Sequence, residues 1–152
     1  MKTQIIFANG VTMETGFAPF GGNTTYQSAY RRTLELRFPS SDISYEEIKA
    51  LYTNTEATSE ISVTEYGTQI QEDPDNSGET IEVEVITGQS LHLNYTLPME
   101  LTLKTVDGTE LWCMKMAQKS AIEIAQEQQA ADINDTQLAL IELAGMIEGG
   151  TQ

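Results

Sequence analysis

Apolar and polar residues alternate with a period of two along much of the first 116 positions. Leu34, Leu36 and Phe38 alternate with Thr33, Glu35 and Arg37; Ile81, Val83 and Val85 with Glu82 and Glu84; Leu91, Leu93, Tyr95 and Leu97 with His92, Asn94 and Thr96. Alternation of this kind turns one face of a strand toward a core and the other toward water, as in half-buried antiparallel sheets. Asn9-Gly10, between Gln4–Ala8 and Val11–Met13, and Asp107-Gly108, between Leu101–Val106 and Glu110–Met114, predict hairpins with two-residue turns, because both dipeptides tolerate positive φ. Pro39 ends the strand before it, and Gly21-Gly22 reads as a turn. One helix interrupts the strands. Ser44 with Glu47 three residues on is a capping box, and Tyr45, Ile48, Leu51 and Tyr52 then share a helical face, which predicts a helix over 44–53.

From Ala117 the period changes. Residues 117–131 are rich in Ala, Gln, Glu and Ile and hold no Gly or Pro, a helical composition. Asn134 is placed to cap a second helix, with Ile133 and Leu138 as a hydrophobic staple, and Gly149-Gly150 to stop it. Written in one heptad register, Ile122, Gln126, Gln129, Ile133, Thr136, Leu140, Leu143 and Ile147 form the seam, its apolar members being Ile122, Ile133, Leu140, Leu143 and Ile147. Two readings stay open: an oligomerising or partner-docking segment, and a helical hairpin packed on its own domain. The chain therefore divides into a β-rich domain, 1–116, and a C-terminal helical segment, 117–152. The fold class is mainly β, an antiparallel sandwich or small barrel with one short helix, and α+β overall.

Charge sharpens this division. The 23 acids and 8 bases give a formal net charge of -15, a field that repels the phosphates of DNA, RNA and anionic membranes. Residues 1–37 hold two acids and four bases, 38–103 hold thirteen acids and only Lys49, and the positions after Lys119 hold six acids and no base. Three copies at -15 each would carry -45, so assembly would need its charged faces outward and salt to screen them. No run of 18 apolar residues is present, and the first residues are too short for a secretory core, which leaves no membrane insertion and a cytoplasmic origin as the expectation.

Candidate chemistry is sparse. Cys113 and His92 are the only residues of their types, which excludes a disulfide within the chain and any His-His metal pair. The acidic run from Asp73 to Glu84 fits a twelve-residue calcium loop, with Asp73, Asp75, Ser77, Glu79 and Glu84 as the oxygen donors and Gly78 at the sharp turn. Its flanks do not fit. Ile81–Val85 alternates as a strand where that motif needs a helix, which favours a plain acidic hairpin loop turning at Asp75-Asn76-Ser77-Gly78. His92 falls on the polar side of its strand without a placeable nucleophile, Arg31 and Arg37 share a polar face with Glu35, and Met114 and Met116 read as core filling. No cofactor is called for, and no enzyme is indicated.

Several stretches resemble the small tail-associated proteins encoded in the tail or baseplate gene clusters of phages and prophages of Gram-positive, often gut, bacteria. They are Phe7-Ala8-Asn9-Gly10; Leu34-Glu35-Leu36-Arg37-Phe38 leading to the segment from Ser44 to Tyr52; Met116-Ala117-Gln118-Lys119; and the terminal run from Leu140 to Gly150. The resemblance is one of style and order and contains no catalytic motif. It implies a non-enzymatic virion structural protein of the tail, made in the host cytoplasm, which assembles through its helical end with itself, for example as a trimer, and with other tail or baseplate proteins.

Overall fold

The computed structural model describes residues 2–150, with side chains through Gly145. The chain forms two units, Met1–Gln118 and Lys119–Gln152.

The first unit is a two-sheet antiparallel sandwich. Strands β1 (Lys2–Phe7), β2 (Thr12–Thr15), β5 (Glu60–Glu72) and β6 (Thr80–Leu93) form one sheet in the order β2-β1-β5-β6. Strands β3 (Phe20–Tyr26), β4 (Ala29–Pro39), β7 (Leu97–Val106) and β8 (Thr109–Ala117) form the other, in the order β3-β4-β8-β7. The inner faces supply Ile5, Phe7, Ile61 and Val63 from the first sheet, and Leu34, Leu36, Phe38, Met114 and Met116 from the second, to one buried cluster. Each such side chain contributes about 2 kcal/mol by leaving water. Helix α1 (Tyr45–Thr53) adds Ile48 and Leu51, and the short helix α2 (Thr55–Thr58) adds Ala57. The helix start follows the capping box, since the Ser44 hydroxyl accepts a hydrogen bond from the Glu47 amide at 3.2 Å. Trp112 donates its indole N–H to the Ile43 carbonyl at 3.1 Å and lies 5.6 Å from the Tyr45 ring, which ties β8 to the entry of α1.

Four sequence expectations are corrected. Gly21-Gly22 is no turn: both lie inside β3, opposite Leu34 and Thr33, and a β-carbon at Gly22 would stand 3.0 Å from the Thr33 hydroxyl. The reversal comes at Gln27-Ser28, both at positive φ (49° and 64°), a backbone that Gln and Ser do not announce. Asn9-Gly10 is no two-residue turn either. Phe7 pairs with Val11, its amide donating to the Val11 carbonyl, and only Gly10 takes positive φ (89°), so the loop has three residues. Asp107-Gly108, with both residues at positive φ, does form the two-residue turn.

The third correction concerns β6. The runs 81–85 and 91–97, each expected to turn its apolar residues toward a core, do not both do so, because the β5–β6 register shifts between Glu65 and Tyr66, where Gly88 pairs with Glu65 and Ile86 with Tyr66, leaving Thr87 as the extra residue. An extra residue exchanges the two faces of a strand. Val83 and Val85 therefore share the side of Ile61 and Val63, whereas beyond Thr87 that side carries Ser90 and His92, and Leu91 and Leu93 turn outward, 55% and 45% exposed. The strand then ends at Leu93, and Asn94 takes a left-handed conformation (φ 65°) before β7.

The fourth concerns the C-terminal unit. It holds one continuous helix, α3 (Ala121–Gly150), which includes both Gly149 and Gly150, in place of two helices. Asn134 is interior to it. Nucleation lies at Ser120, whose hydroxyl accepts from the Glu123 amide at 3.2 Å while the Glu123 carboxylate accepts from the Ser120 amide at 3.1 Å. That is a reciprocal capping box fourteen residues upstream of the expected second start.

Candidate functional site

A helix of 30 residues spans roughly 45 Å at the standard rise. Among the described residues of its unit there is no second helix against which to bury side chains. The seam residues Ile122, Ile133, Leu140 and Leu143 are all exposed; the side chain of Ile147 lies outside the described residues. Leu138 and Ile141 are exposed as well, and in the heptad register they fall on the side away from the seam. The amphipathic stripe is thus weak. From Leu138 to Leu143 the helix presents apolar groups around most of its circumference, which a two-residue-per-heptad seam does not cover.

The acidic loop is a hairpin connection between β5 and β6. The Asp73 carboxylate accepts from the Asp75 amide at 2.9 Å and from the Asn76 side-chain amide at 3.3 Å. The Asp73 amide donates to the Glu79 carbonyl, and Gly78 supplies the positive φ (90°) that closes the turn. Of the five oxygen donors named for calcium, Glu84 lies away in β6, opposite Thr68, and accepts from the Lys2 ammonium at 2.9 Å. Among the described residues no three His, Cys, Asp or Glu side chains converge as metal ligands.

The imidazole of His92 is half-buried on the same side of the sheet as Ile61, not on a solvated face. Its Nε2 shares a hydrogen bond with the Ser90 hydroxyl at 3.0 Å, and its ring meets Tyr95 edge-on at 6.0 Å. Desolvation holds its pKa below 6.5. Serine and histidine two apart on one strand necessarily face the same way, and the contact is explained by that spacing.

Arg31 is likewise misread by alternation. It is only 4% exposed, and its guanidinium donates to the carbonyls of Tyr26 (2.7 Å), Gln27 (3.3 Å) and Gln118 (3.3 Å), which locks the Gln27-Ser28 turn to the end of the β-unit. Arg37, on the same face, forms an ion pair with Glu35 at 3.0 Å, and Lys104 approaches the same carboxylate at 3.6 Å. Between them, opposite Arg37 on β4 and Thr102 on β7, sits Cys113, 1% exposed, with its thiol pKa raised by burial and by Glu35. A separate cleft of about 340 Å³ beside α1 is lined by Val11, Ile43, Glu47, Ala50 and Asn54. Glu47 is the ionisable group on its wall, and one carboxylate there does not make an acid–base pair.

No known protein family, curated protein or solved structure matches the chain.

Proposed function

We propose that the protein is a non-enzymatic structural component of a phage or prophage tail or baseplate, which assembles through its C-terminal helix. The observation that carries assembly is the set of exposed apolar side chains along α3, dense and nearly circumferential between Leu138 and Leu143. A helix with that surface gains stability in water when further apolar surface covers it. Three copies in a bundle, or a groove on a neighbouring tail protein, supply the cover, while Gln126, Gln129 and Thr136 in the seam set register at a cost in stability. The tail context rests on the resemblance of the quoted segments.

Light scattering of the full-length chain and of Leu140→Gln/Leu143→Gln, across protein concentration and salt, tests the assembly. The expected result is a multiple of 16.8 kDa that salt favours and the double variant abolishes. A monomer under every condition removes self-association and leaves docking on another protein. Mass spectrometry of purified tailed particles tests the context: a chain found only in the particle-free lysate contradicts it.

A further inference from the structure

We infer that the open edge of β6 is a docking site for an extended segment of another protein that alternates Lys or Arg with apolar residues. β6 is fourteen residues long and ends its sheet, so one side pairs with β5 and the other presents unpaired backbone N–H and C=O groups. The need for a further strand is greatest beyond Tyr66. Among the described residues β1 pairs β5 only as far as Lys2 opposite Tyr66, and Gly67–Glu72 with Thr80–Val85 form a two-stranded ribbon, an arrangement of marginal stability by itself. The ribbon is also apolar in part, with Ile70 69% and Ile81 39% exposed.

Charge selects the occupant. Glu72, Asp73, Asp75, Glu79, Glu82 and Glu84 lie on the ribbon and its loop, and the sequence has no Lys or Arg between Lys49 and Lys104. The sheet's own chemistry shows what these acids accept: Lys2 crosses from β1 to Glu84 at 2.9 Å and stacks over Tyr66 at 4.7 Å from the ring centre. A second copy is disfavoured, because antiparallel pairing of two β6 strands about Val83 would set Glu82 and Glu84 of one against those of the other. On an incoming strand, directly opposed residues share a face. Basic side chains would meet Glu82 and Glu84, and apolar ones would meet Val83 and Val85 on the other side. This surface belongs to the β-unit and is independent of the helix reading.

The test is an amide-resolved NMR titration of the full chain with three ten-residue peptides: one alternating Lys with Val and Thr, its Glu counterpart, and the Lys peptide with alternate backbone amides N-methylated. Saturable shifts in residues 80–88 with the first peptide only are expected. Glu82→Gln/Glu84→Gln should weaken that binding roughly three- to tenfold, as expected for two exposed ion pairs. Glu46→Gln/Glu56→Gln on the helices should leave it unchanged. Equal binding of the Glu peptide or of the N-methylated peptide, shifts centred elsewhere, or concentration-dependent broadening of β6 without peptide would each overturn the inference. Leu140→Gln/Leu143→Gln leaves this titration intact, so edge binding and helical assembly succeed or fail separately.

Discussion

The β-carbon that Gly67 lacks would lie 2.8 Å from the methyl group of Thr87, the extra residue of β6. Thr87 is held there by its hydroxyl, which donates to the Glu65 carbonyl at 3.2 Å. A methyl group on residue 67 must therefore displace Thr87 or break that bond. Gly67→Ala should destabilise the chain by about 1–2 kcal/mol, the usual penalty for forcing one carbon into filled space. Thr87→Ser removes the methyl and keeps the hydroxyl, so adding it to Gly67→Ala should recover most of the loss. Urea denaturation of the two single variants and the double variant checks this; strictly additive losses would contradict it.

Arg31 holds at least three carbonyls from one buried guanidinium. Arg31→Met leaves those acceptors without their donor and should cost about 3 kcal/mol. Arg31→Lys should recover little of it, because an ammonium on a flexible stem cannot reach carbonyls spread along a planar fork. Thermal melts of both variants decide the point, and a lysine variant that melts with the wild type would refute the geometric part.

The half-buried His92 ring takes up a proton less readily in the folded chain than in the unfolded one. Its contribution to stability is whole above about pH 6.5, where both states are neutral, and is lost as pH falls from there toward the lower folded value. Melting temperatures of wild type and His92→Gln should diverge in slope over that interval, the variant losing less on acidification. Parallel curves would count against it.

The difference between what was legible and what was not follows from the range of each interaction. Ser44 with Glu47 announced α1 because both partners of a capping box lie within four residues. Asp107-Gly108 announced its turn for the same reason. The inversion at Thr87 is invisible to alternation, since an extra residue shows only against the partner strand, and β5 carries no clear period of its own from Tyr66 onward. Arg31 looks solvated by parity, because the carbonyls that claim it are five residues upstream and eighty-seven downstream. Ser120-Glu123 was an available signal that the apparent restart at Asn134 obscured. As for the helix, spacing alone selects one apolar seam, whereas the exposed Leu138 and Ile141 behind it acquire meaning only once the helix is known to be continuous.

Cys113 gives the outer face of the second sheet an intrinsic reporter of its own side-chain cover. A thiol reagent reaches that sulfur only when the side chains that cover it have moved aside, because the thiol lies on the face shared with Glu35, Arg37 and Lys104, away from the buried cluster. The labelling rate therefore measures how often that cover opens, and it does so without any engineered probe, because no other cysteine competes for the reagent.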